Sequence, residues 1–313
     1  MRTLDADRPV VAIGSSGLDI VGRAAEVLHM GTSNPAALRM SPGGVARNVA
    51  ENLARLGTDV YLLSAVGDDP EGQLVLAQAA EAGVHVDTVL TVPGARTGAY
   101  LAVLDDQGNL HLAMDDMRIV EAVTPDHLRA CKSLIENASV VFVDGNLSPR
   151  SLALVVRLAR HAGVPVAADP TSVSLAPRFA ELLGDLWLFI PNEAEAATLV
   201  PRPLPHADRV RALETAHHLV AQGVEAVIIT MAEFGVAYAS PEVSGLVPAV
   251  QTEVLDPTGA SDAQTAAVVF ALLNDIPLDE AVRLGASAAA LTLRTPGSVV
   301  PNLSIELLYD QLR

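Results

Sequence analysis

Short apolar runs and amphipathic segments alternate along most of this chain. The runs at 10–13 and 140–143 consist of Val, Ala, Ile and Phe, which is typical of strands buried on both faces. Segments with apolar residues three or four positions apart predict helices between such runs. This alternation predicts a single α/β domain over residues 1–313, with a central, mostly parallel sheet flanked by helices.

The same pattern gives approximate boundaries for each element. The expected strands are 10–13, 60–66, 140–143, 164–168, 186–190, 224–230, 236–239 and 246–250. The expected helices are 45–57, 70–83, 125–137, 149–161, 193–199, 208–222, 260–274, 278–294 and a last one from 304.

One region departs from the βα alternation. Residues 97–114 alternate with a period of two on both sides of 105–109, which predicts a hairpin. With residues near 20–42, this hairpin is expected to form a small second sheet, built from insertions at about 15–42 and 95–118. A small sheet beside the ligand end of an α/β domain would serve as a lid.

Composition excludes several classes of function. The net charge of −17 argues against a nucleic-acid partner. No apolar run is long enough to span a membrane, and no N-terminal signal is visible, so we expect a cytoplasmic protein without a membrane partner. The single cysteine, Cys131, excludes an internal disulfide. The only lysine, Lys132, follows no glycine-rich loop, which excludes a Walker-type phosphate loop.

The stretch 256–273 carries the strongest chemical signal. A turn of small residues leads into an apolar helix, so free N–H groups and the positive end of the helix dipole lie inside the protein. Gly259 and Ala260 would let an anion approach these N–H groups. Asp262, in the same turn, would take a proton from a group that attacks a phosphate. Considered alone, the stretch fits an ordinary capped helix, with Ser261 and Gln264 as a capping box, better than it fits a catalytic site.

Other polar residues cluster at predicted strand ends and helix starts. Gly43 and Gly44 open a second helix, with Asn48 one turn in, and Asp19 follows the first strand. Because the carboxyl ends of parallel strands share one edge of a sheet, we expect a ligand site there. The strand-end residues are Asp144, Asn146, Asp169, Asn192, Glu195 and Thr230.

Three motifs in this order resemble the ribokinase-like (PfkB) carbohydrate kinases, over essentially the whole chain: Gly43-Gly44 with Asn48, Asn192-Glu-Ala-Glu195, and Thr258-Gly-Ala-Ser-Asp262. Within that family, the likeness is greatest to members that phosphorylate pseudouridine. The segments that carry this likeness include 42–57, Ser33-Asn34-Pro35 and Asp115-Asp116-Met117. The last two lie in the predicted lid, where a nucleobase would be recognised.

The resemblance implies transfer of the γ-phosphoryl group of ATP to the 5′-hydroxyl of pseudouridine. Asp262 would be the general base, and the N–H groups of Gly259, Ala260, Ser261 and Asp262 would form an anion hole. Mg²⁺ would be held by Asn192, Glu195 and Asp169. Asp256 and Thr258 match positions that hold a monovalent cation such as K⁺ in some relatives.

The resemblance also implies ligand contacts and an assembly. The expected substrate-binding residues are Asp19, Asn34, Gly43, Gly44, Asn48, Asp116, Met117 and Asn146. The expected nucleotide-binding residues are Asn192, Thr230, Gly235, Thr258, Gly259 and Ala286. By analogy, a homodimer through the lid is expected. Two other functions stay open: a kinase for another nucleoside or a free sugar such as ribose, and a non-catalytic nucleoside- or nucleotide-binding protein of the same fold.

Two positions depart from the family pattern. Ser261 replaces the second glycine of Gly-Ala-Gly-Asp, and Ala232 replaces the first glycine of a Gly-x-x-Gly loop that ends at Gly235. Ser261 keeps its N–H, so the anion hole is expected to survive if its φ is negative. The loop at Ala232 is expected to differ near the nucleotide.

Overall fold

The computed structural model describes residues 4–201 and 204–312. Its strands, in chain order, are β1 (Val10–Ile13), β2 (Gly17–Ala24), β3 (Ala36–Gly43), β4 (Val60–Leu63), β5 (Ala65–Gly67), β6 (Leu90–Val92), β7 (Gly98–Leu104), β8 (Leu110–Asp116), β9 (Val140–Asp144), β10 (Val166–Asp169), β11 (Leu188–Phe189), β12 (Ala226–Thr230), β13 (Val236–Ala239) and β14 (Ser244–Val247). Its helices are α1 (Val45–Arg55), α2 (Pro70–Glu81), α3 (Pro125–Ala130), α4 (Lys132–Glu136), α5 (Pro149–Ala162), α6 (Glu193–Ala197), α7 (Arg209–Ala221), α8 (Ala260–Leu273), α9 (Leu278–Leu293) and α10 (Ile305–Gln311).

The main sheet has eight strands in the order β14-β13-β12-β11-β10-β9-β1-β4. The strands between β4 and β12 in this order pair in parallel, and β13 pairs antiparallel with both β12 and β14. The predicted mostly parallel α/β fold is therefore confirmed.

Side chains of the main sheet alternate between two hydrophobic cores. In β1, Val10 and Ala12 belong to the core shared with α1, α8, α9 and α10, whereas Val11 and Ile13 belong to the core shared with α5 and α7. Helices thus cover both faces of the sheet. Helix α8 is buried along nearly its whole length and packs on both α1 and α9. This packing brings the first turns of α1 and α8 together.

The predicted small sheet is present, with strand order β3-β2-β7-β8. β7 and β8 form the expected hairpin around 105–109. One face of this sheet carries a cross-strand row of Ser41, Asp19, Tyr100 and Asp115. The opposite face carries apolar rows, one of which is Met40, Ile20, Leu101 and Met114.

Three predicted elements differ in the structure. The strand expected at 60–66 is two strands, because the Ser64 carbonyl accepts a hydrogen bond from Leu90 N–H and β5 pairs with β6 instead of the main sheet. The helix expected at 125–137 is interrupted at Cys131, which has φ −91° and ψ 9°. The strand expected at 246–250 begins at Ser244, where pairing with β13 sets its register. Within the described residues, every helix is too short or too polar to cross a membrane.

Candidate active site

The N-terminus of α8 forms an open turn. Gly259 precedes the helix with φ 78°, a left-handed conformation that glycine adopts without cost. The first bond of the helix runs from Ala263 N–H to the Gly259 carbonyl, so the preceding N–H groups have no intrahelical acceptor. No side chain caps this end, so the capping box of Ser261 and Gln264 is not formed. These free N–H groups suit an anion.

Asp262 lies in this turn and points at α1. Its side chain is buried, and one carboxylate oxygen accepts a 2.8 Å hydrogen bond from Nδ2 of Asn48. Burial raises the pKa of Asp262 to about 7; the Asn48 hydrogen bond opposes the rise and the Asp144 charge adds to it. A carboxyl group that titrates near neutral pH is suited to general-base catalysis.

A buried arginine, which the sequence reading did not single out, orients Asn48. The Arg47 guanidinium donates a 3.0 Å hydrogen bond to Oδ1 of Asn48 and a 3.2 Å bond to the Pro42 carbonyl, and it pairs with Glu51. Ser298 Oγ also lies 3.2 Å from the Asn48 Oδ1 atom. Because the Ser298 hydroxyl donates at 2.8 Å to the Pro42 carbonyl, the Arg47 guanidinium is the donor that engages Oδ1, and the Nδ2 group faces Asp262.

Asp19 lies next to Asp262 at the base of the lid. A Cβ atom added at Gly43 would lie 2.2 Å from the Asp19 carboxyl carbon, so only glycine leaves room for this side chain. Burial raises the pKa of Asp19 to about 7, with the Asp262 charge adding to the rise. Within the described chain, Asp19 Oδ2, Ser16 Oγ and Ser41 Oγ are buried without a hydrogen-bond partner. Buried polar atoms of this kind need a hydrogen-bond partner, which a polar ligand or water can supply.

Asp144 lies at the centre of the site, where its hydrogen bonds hold the surrounding elements together. It is fully buried and accepts hydrogen bonds from Ser15 N–H and Oγ–H, Ala46 N–H and Asn146 N–H. It thereby joins the ends of β1 and β9 to the start of α1. Gly44, with φ 97°, packs on the Ser15 backbone, where a Cβ atom would approach to 2.7 Å.

Two further carboxylates lie where Mg²⁺ was expected. Asp169 and Glu195 are both buried, and burial together with the Glu195 and Asp262 charges raises the pKa of Asp169 well above its usual value. Asn192 and Glu195 form a reciprocal capping box at α6, with bonds of 2.9 Å and 2.8 Å. No cluster of three or more metal-binding side chains occurs among the described residues. Because Mg²⁺ commonly takes one or two carboxylates together with phosphates and water, this pair fits it.

A cavity of about 730 Å³ opens beside the anion turn. It brings together most of the residues expected to bind the nucleotide, and its lining is largely apolar. The sequence-predicted residues in its wall are Asn192, Thr230, Gly235, Ala260, Ser261 and Ala286. Backbone pairing of Asn192 with Thr230 holds two of them side by side.

A second cavity, of about 440 Å³, lies under the lid. Asp116, Met117 and Asn146 line it together with Asp115, which ends the row that contains Asp19. Asn34 is not brought to this cavity. It lies in the loop between β2 and β3, far from the Gly43 end, and its amide bonds to His29 and Thr32 of the same loop.

The two departures from the family pattern have different structural consequences. Ser261 lies within α8 and is absent from the residues with positive φ, so its N–H is kept in helical geometry. Ala232 has φ 45°, in the left-handed region that glycine favours. The chain therefore keeps a glycine-like loop conformation at Ala232 despite the substitution.

Comparison with solved structures identifies the fold class of the chain. The ribokinase of Arabidopsis thaliana, solved with ribose and ATP, superimposes with a TM-score of 0.82 over 98% of this chain and 99% of its own, at 23% identity. An Escherichia coli protein solved with ATP and Mg²⁺ gives a TM-score of 0.83 over 97% of this chain and 99% of its own, at 18% identity. The fold is thus ribokinase-like.

The sequence defines the family. Residues 7–305 match the model of the pfkB family carbohydrate kinases. The pseudouridine kinase of Escherichia coli K12 is 36% identical over 298 residues, which cover 95% of this chain and 94% of that protein. The chain belongs to the pfkB family, and it is a carbohydrate or nucleoside kinase.

Proposed function

We propose that this kinase transfers the γ-phosphoryl group of ATP to the 5′-hydroxyl of pseudouridine, giving pseudouridine 5′-phosphate and ADP. The Asp262 carboxylate takes the hydroxyl proton as the 5′-oxygen attacks phosphorus and the bond to the ADP oxygen breaks. The free N–H groups from Gly259 to Asp262 stabilise the charge on the transferred group.

The remaining residues bind and orient the acceptor, ATP and Mg²⁺. Asp19, Asn48 and the Gly43-Gly44 backbone hold the ribose hydroxyls, and the apolar cavity beside α9 holds the adenine of ATP. Asp169, Asn192 and Glu195 would hold Mg²⁺, directly or through water. When bound, Mg²⁺ neutralises charge on the phosphates.

The observation that carries the nucleoside assignment is the second cavity. Asp19 and Asp115 belong to one cross-strand row and are separated by two strand spacings, roughly 10 Å. A free ribose would fill only the Asp19 end of this row, whereas a nucleoside would extend its base toward Asp115, Asp116 and Met117. A polar cavity wall with carboxylate and amide groups suits a base with N–H donors and carbonyl acceptors.

The test is ATP turnover with Mg²⁺ and a panel of acceptors: pseudouridine, uridine, cytidine, adenosine, ribose and fructose 6-phosphate. We expect the highest kcat/KM with pseudouridine, and phosphorus NMR should show a 5′-phosphate. A higher kcat/KM with another nucleoside or with ribose would reject the pseudouridine assignment but keep the kinase. Nucleoside binding without turnover of any acceptor would favour a non-catalytic protein of this fold.

The outer face of the lid supports the expected homodimer. Leu38, Met40, Leu112 and Met114 are 75%, 68%, 49% and 55% exposed, and they lie on the face opposite Asp19. A contiguous apolar sheet face of this kind is typical of a protein–protein contact. Light scattering should give twice the chain mass, and Met40→Asp should give the monomer mass. A monomeric wild type would reject the dimer.

A further inference from the structure

Asp256 carries a buried carboxylate immediately before the anion-hole turn. Its side chain is 1% exposed. Thr258 N–H donates to its Oδ1 at 2.9 Å, and Gly297 N–H donates to its Oδ2 at 3.3 Å. The guanidinium of Arg39, from lid strand β3, forms a salt bridge with the same Oδ2. The negative charge of Asp256 is therefore balanced from within the chain.

These contacts join the lid to the two loops that support the anion hole. Asp256 fixes the turn that runs through Thr258 to Gly259. Gly259 packs directly on the backbone of Ser298, where a Cβ atom would lie 2.1 Å from the carbonyl oxygen. Displacing Asp256 would move both loops and, with them, the N–H groups at the start of α8. Arg39 thus acts on the anion hole through Asp256.

A monovalent cation at Asp256 and Thr258 does not fit this arrangement. Such an ion needs oxygen atoms with free lone pairs. Here two N–H groups already donate to the Asp256 carboxylate, and the Arg39 guanidinium forms an ion pair with it. An added cation would lie beside the positive charge of Arg39 and be repelled by it.

We infer that Arg39 takes the place of a monovalent cation at Asp256, so that the lid itself supplies the charge that holds the anion-hole turn. Arg39 is a positioning residue for the anion hole, because it acts there through Asp256 and not on the reacting atoms. Its charge also faces Asp19, where it lowers the pKa of that carboxyl group. The inference rests on the phosphoryl transfer proposed above.

The first experiment measures turnover of Mg-ATP and pseudouridine in tetramethylammonium buffer, with or without K⁺ or Na⁺ at matched ionic strength. We expect the wild-type rate to be the same in all three. Arg39→Ala should lower kcat roughly tenfold or more, because it leaves a buried charge unpaired. Added guanidinium ion or K⁺ should restore much of the lost rate. Arg23→Ala removes the same charge from the exposed tip of the same sheet and should change little.

A double-mutant cycle isolates the pair. In an Asp256→Asn background, Arg39→Ala should lower kcat by a much smaller factor than in the wild type, because no charge is left for Arg39 to balance. An equal loss of kcat in both backgrounds would overturn the inference. So would a wild-type rate that requires K⁺, or an Arg39→Ala variant that neither guanidinium nor K⁺ improves.

Melting temperatures test the same point without turnover. K⁺ should raise the melting temperature of Arg39→Ala above that in Na⁺, and should leave the wild type unchanged. A K⁺-specific rise in the wild type would overturn the inference. If no acceptor in the panel were phosphorylated, the proposed function would fail, while these melting temperatures would still decide the role of Arg39.

Discussion

Asn48 and Asp262 are 214 positions apart in the chain, yet the Asn48 amide donates a 2.8 Å hydrogen bond to the Asp262 carboxylate. Arg47 donates to the oxygen of the same amide, which fixes the orientation of the group. The bond joins the first turn of α1, beside the expected ribose site, to the anion-hole turn of α8. The proposed base is therefore held by the same helix that would bind the acceptor.

Asp262→Asn should lower kcat by about 10²–10⁴-fold, because an amide cannot accept the proton from the attacking hydroxyl. Steady-state rates give kcat, and calorimetry should show that the variant still binds the nucleoside. Asp279→Asn, in the first turn of the neighbouring helix α9, serves as the control and should keep wild-type turnover. Equal kcat for Asp262→Asn and the wild type would exclude Asp262 as the base.

The rate should depend on pH through the same carboxyl group. Since the base must be ionised and the pKa of Asp262 is about 7, kcat/KM should fall below about pH 7. The Asn48 hydrogen bond stabilises the carboxylate and lowers that pKa. Asn48→Ala should therefore move the acid limb of the profile to higher pH. An unmoved or lower midpoint would contradict this account of the site.

Stability should also depend on pH, and with a definite sign. Burial raises the pKa values of Asp19 and Asp262 from 3.8 to about 7, so between these limits the folded protein holds protons that the unfolded chain has lost. The contribution of both groups to the free energy of unfolding therefore falls as pH rises from about 4 to 7. Asp262→Asn should melt higher than the wild type at pH 8 and close to it at pH 4. Calorimetric scans over this range measure the difference. A wild type that melts higher than Asp262→Asn at pH 8 would refute the burial argument.

Sequence patterns predicted what is local. The turn from Gly259 to Asp262 and the helix start at Gly43-Gly44 are short segments whose chemistry follows from residue type and spacing. The hairpin of the lid followed from its period of two. All three lie where the sequence placed them.

Contacts set by tertiary packing were not predictable in the same way. In the sequence, Arg47 is a polar residue on a predicted helix, and only the packing of α8 on α1 shows that it orients Asn48. The pairing of Arg39 with Asp256 depends on the lid register, which no local pattern contains. Asn34 is the opposite case: its motif is local, but the strands carry it to the far tip of the lid.

The close approach of Gly43 and Asp19 gives a test of the substrate site. Gly43→Ala would place a methyl group 2.2 Å from the Asp19 carboxyl carbon, so the carboxylate must move. We expect kcat/KM for the acceptor to fall roughly tenfold or more, with little change in KM for ATP. Gly184→Ala, where the nearest atom would be 3.4 Å away, is the control. An unchanged kcat/KM would show that Asp19 does not contact the acceptor.

Two alanines in the wall of the nucleotide cavity should respond oppositely to one substitution. Ala232 has φ 45°, and a left-handed conformation costs a residue with a Cβ atom roughly 1–2 kcal/mol, so Ala232→Gly should raise the free energy of unfolding by about 1 kcal/mol. Ala289 lies inside α9, where Ala289→Gly should lower it by about 1 kcal/mol. Urea unfolding of both variants gives the two values. If Ala232→Gly destabilised the protein as Ala289→Gly does, the loop would not have the glycine-like conformation. If Ala232→Gly stabilised the protein without changing KM for ATP, Ala232 would lower the stability of the protein and leave ATP binding unaffected.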